Sequence, residues 1–171
     1  MEEQASTART ALKYGILTSV VFMIYTTIVN VSGLAQNNIL AFLSYLILIV
    51  GIILGMKEFR ITNKGFMGYG EGLGLGSLLS GIFGFFSSMF TMFYTKFIDP
   101  TIITRTLEKA RADAEAKGMD DAQIDKLMEV SQKMSSPGIM FAAGVFGFLF
   151  IGFIFSLIIA AVLRREKPVF E

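Results

Sequence analysis

Neither cysteine nor histidine occurs in these 171 residues. Without Cys there is no disulfide, no thiolate nucleophile and no iron–sulfur cluster; without His the commonest general base and the commonest transition-metal ligand are gone. Most familiar catalytic sites are thereby excluded. A formal net charge of +1 supplies no overall pull toward nucleic acid, and no basic stripe interleaved with aromatics appears. Charge of either sign is also missing from four long stretches, 14–34, 39–56, 72–94 and 139–163.

Those stretches are rich in Leu, Ile and Phe, and each runs about 18 to 25 residues, enough at 1.5 Å per residue to cross a hydrocarbon core of about 30 Å. In lipid the backbone must satisfy its own hydrogen bonds, so such runs predict helices. The expected fold is all-α: a single integral membrane domain over 1–171, built as a four-helix transmembrane bundle. Composition agrees, because 53% of the residues are hydrophobic and the 17% that are charged lie almost wholly between or outside the four runs.

Orientation follows from Lys and Arg. Arg9 and Lys13 precede the first span, Lys57, Arg60 and Lys64 follow the second, and Arg164, Arg165 and Lys167 follow the fourth. All lie on one side if four helices cross, which predicts cytoplasmic N- and C-termini. The first connection, Ala35-Gln36-Asn37-Asn38, is uncharged, as a translocated turn should be. The connection over 95–138 carries seven basic and eight acidic residues, but long segments translocate largely regardless of charge. A second reading of the first span is a signal peptide cleaved after Ala35, since Gly33 and Ala35 are small as a signal peptidase requires. The length of the run and the acidic Glu2 and Glu3 argue against it.

The third span carries small residues at four-residue spacing: Gly72, Gly76, Ser80, Gly84 and Ser88. On a helix this makes one narrow stripe along which a neighbouring backbone can approach closely. Packing within the chain and a homodimer seam are both open. Gly152, Ser156 and Ala160 of the fourth span, with Gly144 and Gly147, offer a matching surface, and Gly51 and Gly55 repeat the theme in the second. Alternating glycines over 68–76 lack the preceding strand and the Gly-Lys-Ser/Thr ending of a phosphate loop. They predict an irregular, flexible or re-entrant approach to the third span.

Polar groups near the bilayer are few. Glu71, at the start of the third span, suits the positive end of a helix dipole; its functional alternative is a proton- or cation-responsive group at the mouth of a path. Asn30, with Thr26 and Thr27, and Ser44 with Tyr45 are the other polar clusters, read as interhelical hydrogen bonding or interfacial anchoring. No charge falls at mid-span, where transporters usually hold one.

Residues 99–137 predict an extracytoplasmic amphipathic helical hairpin. Asp99 caps a helix opened by Pro100, with Ile103, Leu107, Ala110 and Ala114 on one face until Gly118. Asp120 and Gln123 form a capping box before Ile124, Leu127, Met128 and Met134, and Pro137 breaks the chain ahead of the fourth span. The charged faces carry mixed signs with i,i+4 pairs rather than a catalytic cluster. The apolar stripes have three open destinations: the outer ends of the spans, each other, or a partner. Asp120, Asp121 and Asp125 do not follow the spacing of a calcium loop.

The Ile98-Asp99-Pro100 opening of the hairpin, Lys117-Gly118-Met119 at its turn, the Ser136-Pro137-Gly138 exit and a final span closing on Ala160-Ala161-Val162-Leu163-Arg164-Arg165 resemble a family of small bacterial membrane proteins, domain-of-unknown-function family 4199. The resemblance covers nearly the whole chain. It implies four spans with an intact first helix and a bacterial inner membrane, and it supplies no activity, cofactor or catalytic residue.

The expectation is therefore a non-enzymatic membrane protein without cofactor or metal, set in the lipid bilayer, that binds a partner or scaffolds a complex in the cell envelope, as a homo-oligomer or with another envelope protein. The alternative is a small transporter or channel subunit acting as an oligomer, with Glu71, Asn30 and the glycine-rich approach along its route. An intramembrane enzyme stands last, since the available carboxylates, hydroxyls and lysines form no acid–base pair.

Overall fold

A hydroxyl starts the first helix: Ser6 accepts a hydrogen bond from the Arg9 backbone N–H at 3.3 Å, satisfying one of the orphan donors of the first turn. The computed structural model describes residues 6–166; Glu2, Glu3 and Lys167 lie outside the described residues. Within them the chain is all-α: α1 Thr7–Val31, α2 Asn38–Thr62, α3 Tyr69–Phe93, α4 Thr101–Ala116, α5 Asp121–Met134 and α6 Pro137–Leu163. A π-helical turn, Tyr94–Ile98, prolongs α3. Four helices, α1, α2, α3 with its π turn, and α6, are long and apolar enough to cross a membrane.

The helices overrun the uncharged stretches. α1 begins seven residues before position 14 and ends at Val31, so Leu34 belongs to the turn after it. α2 continues past Met56 through Lys57 and Arg60 to Thr62, because hydrogen bonding along a helix does not stop where hydrophobicity does. Asn37 opens α2 by accepting from the Ile39 N–H at 2.9 Å, and the Tyr25 hydroxyl donates to the Leu40 carbonyl at 2.8 Å across the short connection.

α3 departs from expectation at its start. It is regular helix from Tyr69, glycines included, rather than an irregular or re-entrant segment. The stretch before it is held in place: Met67 and Arg165 exchange backbone hydrogen bonds at 2.9 and 2.8 Å, an isolated antiparallel bridge. Arg60 donates to the Leu163 carbonyl at 3.3 Å, serving an acceptor that the end of α6 leaves open. With the Lys13–Glu58 pair at 3.1 Å, these contacts gather the start of α1, the end of α2, the start of α3 and the end of α6 at one end of the bundle.

The described chain forms two compact units, one of residues up to Ser87 with those from Val145 onward, the other Ser88–Gly144. The first has a core of Phe22, Leu48, Ile52, Met56, Phe59, Met67, Leu75, Leu79, Phe83 and Ala160. Phe22, Phe83 and Phe148 meet edge-on in a triangle with centroids 5.0–5.7 Å apart, the geometry in which ring edges meet ring faces.

In the second unit α4 and α5 pack together across a turn at Gly118, whose φ of 73° is a left-handed conformation that side chains disfavour. Ala114 and Ile124 are its buried apolar residues in these two helices. The π turn has a local cause: Pro100 has no N–H, and its ring would strike the Lys96 carbonyl of a continuing α-helix. The backbone widens before it, closing with the Asp99 N–H on the Tyr94 carbonyl at 2.9 Å.

Candidate functional site

The α3 stripe lies along α6 in a constant antiparallel register. A Cβ added at Gly72 would meet the Ala160 Cβ at 3.0 Å; one at Gly76 would collide with the Ser156 hydroxyl. Ser80 stands in turn over Gly152, Gly84 lies 2.9 Å, by the same measure, from the Val145 carbonyl, and in the second unit Ser88 stands over Gly144. Every step of four residues up α3 is matched by a step of four back down α6. Ser80 donates to the Gly76 carbonyl at 2.7 Å and Ser156 to the Gly152 carbonyl at 2.6 Å, so both buried hydroxyls are satisfied inside their own helices. Gly147 stands apart, with nothing near a Cβ added there.

Glycine repeats this role on the other helices. Gly51 is overhung by Thr18, and Gly55 faces Leu79, Leu75 and Tyr14. Gly15 was not singled out from the sequence, yet a Cβ there would come within 2.8 Å of Ile82. Its signal was available in the four-residue spacing from Gly15 to Ser19, whose hydroxyl donates to the Gly15 carbonyl at 2.7 Å. The hydroxyls of Thr26 and Thr27 likewise bond carbonyls of their own helix, Phe22 at 2.9 Å and Met23 at 2.7 Å, instead of bridging to another. In a medium without water the nearest acceptor is the carbonyl one turn back. Tyr45 contributes its ring, 6.3 Å from Phe148.

Glu71 serves the start of α3: its carboxylate accepts the Gly68 backbone N–H at 2.7 Å, where the helix dipole favours negative charge. Asn30 is in the last turn of α1. Gly15 of α1 lies level with Leu79 and Ile82 of α3, and Phe22 with Phe83, so the two helices run the same way. Counting residues from that level puts Glu71 and Asn30 about 35 Å apart along the axis. They do not form one polar site.

The hairpin positions hold its helix starts. Asp99 accepts from the Thr101 N–H at 3.1 Å and from its hydroxyl, and Arg105 lies 3.5 Å from the second carboxylate oxygen. The Thr101 hydroxyl first, then the Thr101 amide and the Arg105 charge, hold the Asp99 carboxyl below its ordinary value despite partial desolvation. Pro100 already has helical φ and ψ, one residue ahead of Thr101. Asp120 and Gln123 form a reciprocal box at 2.8 and 3.2 Å, and Pro137 is the first residue of α6. Arg111–Glu115 and Glu129–Lys133 are exposed i,i+4 pairs. Among the described residues no three of His, Cys, Asp or Glu gather as metal ligands.

The family described as protein of unknown function (DUF4199) matches residues 13–165. No curated protein and no solved structure matches the chain.

Proposed function

The chain belongs to the DUF4199 family, and on that footing we propose that it is a non-enzymatic multi-pass protein of the bacterial inner membrane that binds an envelope partner through the hairpin α4–α5. The observation that carries this reading is the order built into the hairpin. A connection between two spans needs only a few residues. This one uses two helices, each opened by an aspartate cap and joined through a left-handed glycine. Such order suits a surface of defined shape. On that surface Val130 and Met134 are about half exposed among charged neighbours, an apolar pair of the kind found at contact sites.

Both termini are assigned to the cytoplasm and the hairpin to the outside. The basic residues before the first span, after the second and after the fourth support this, since Lys13, Arg60 and Arg165 take part in contacts at one end of the bundle. The small-residue seam of α3 and α6 serves packing within the chain. With Gly72, Gly76, Gly84 and Ser80 closed against α6, that stripe has no room for the same stripe of a second copy.

The test is gentle extraction of the tagged chain from native membranes, with mass spectrometry of what stays bound, beside a Val130→Lys, Met134→Lys variant. A stoichiometric partner lost from the variant supports the reading. Recovery of the chain alone in both preparations overturns it.

A further inference from the structure

A groove of about 270 Å³ opens between α1 and α2. Leu17 and Val21 form one wall and Leu43, Leu46, Val50 and Leu54 the other, all 40% exposed or more. Gly51 lies in it, overhung by Thr18, whose hydroxyl is turned to the Tyr14 carbonyl at 2.6 Å. The groove therefore offers carbon and nothing to hydrogen-bond. From Leu43 to Leu54 it runs about 16 Å at 1.5 Å per residue, one leaflet of a hydrocarbon core about 30 Å thick.

Its end nearest the termini is charged. Lys57 follows Leu54 by one helical turn on the same face of α2. Lys13 precedes Leu17 by one turn on α1 and is neutralised by Glu58 at 3.1 Å. Lys57 is exposed and has no carboxylate partner among the described residues. The groove's face of α2 thus leads to a cation with no carboxylate partner among the described residues, at the depth where a helix leaves the hydrocarbon.

We infer that this groove holds an acyl chain of an anionic glycerophospholipid, with the headgroup phosphate against Lys57. The apolar length selects a hydrocarbon chain, and the cation at its mouth selects net negative charge over a zwitterion, as basic sites between membrane helices do. The inference rests on the membrane-spanning reading, under which the groove faces lipid.

The chain has no Trp, so a single introduced indole reports on its surroundings. Leu17→Trp and Val50→Trp place it in the groove, and Phe150→Trp places it on α6, at a residue 65% exposed. Each variant of the full chain is reconstituted in vesicles containing phosphatidylglycerol or phosphatidylcholine with brominated acyl chains, which quench indole on contact. In the groove, brominated phosphatidylglycerol should compete about fivefold better than brominated phosphatidylcholine, and adding Lys57→Gln should abolish the preference. At position 150 the two lipids should quench alike. Equal quenching in the groove, or a preference that survives Lys57→Gln, overturns the proposal. Loss of quenching by both lipids in the groove alone would mean that a second copy sits there, which also overturns it. Loss at position 150 as well would instead contradict membrane insertion itself.

Discussion

Ser156 stands over Gly76 so closely that a side chain on the glycine would collide with its hydroxyl, while Ser156 itself donates one turn back to the Gly152 carbonyl. One turn along, Ser80 stands over Gly152 and donates to Gly76. Each serine thus fills the space that the other helix's glycine leaves and keeps its own hydroxyl satisfied. That exchange locks the register of α3 on α6.

Gly76→Leu should lower thermal stability in detergent by about 1–3 kcal/mol, the usual penalty for overpacking. Gly84→Ala should be destabilising with a far smaller side chain, because what it meets is the Val145 backbone carbonyl, which has no rotamer to move into. Gly74→Ala, with nothing near, should leave the melting curve unchanged or raised. Wild-type melting of both Gly76→Leu and Gly84→Ala would remove α6 from this seam.

A cysteine introduced at Asn37 or Lys117 should react with an impermeant maleimide added outside intact cells, and one at Lys64 should not. The chain has no cysteine of its own to interfere. Labelling at Lys64 alone would invert the proposed topology.

Acid should loosen the start of α4. The folded Asp99 carboxyl is held below its ordinary value of 3.8, chiefly by the Thr101 hydroxyl, so the unfolded chain binds this proton more tightly than the folded one. Its contribution is fully present above the unfolded value and is lost as pH falls through the lower folded one. Amide protection near Thr101, corrected for the intrinsic pH dependence of exchange, should fall as pH drops below about 3.8, and Asp99→Asn should flatten that dependence. A profile identical in the two proteins would contradict the assignment.

Asp120→Ala should weaken α5 by about 1 kcal/mol, the typical cost of losing a helix cap. Amide exchange at Gln123 and Ile124 reads this directly, since their N–H groups bond the Asp120 side chain and carbonyl. Asp121→Ala, one residue into the helix, should have little effect.

Helix number, order and caps were legible in the residues because each depends on neighbours a few positions away. An uncharged apolar run, Asp before Pro, and Asp three residues before Gln act within one or two turns. The glycine-rich start of α3 misleads at that range. Its glycines indicate irregularity locally, yet Gly72 and Gly76 are the price of a close approach by Ala160 and Ser156 from 80 or more positions away.

Composition and hydrophobic periodicity alone determined an all-α chain with four membrane-length helices, no thiol or imidazole chemistry, and basic segments grouped at alternate connections. Tertiary structure decided the partners: α6 for the α3 stripe, Thr18 for Gly51, Leu163 for Arg60, and an open apolar groove between α1 and α2. The reason is physical. Hydrophobicity places every span in lipid with equal force, so it cannot choose among neighbours; contact shape and hydrogen-bond satisfaction at van der Waals range make that choice.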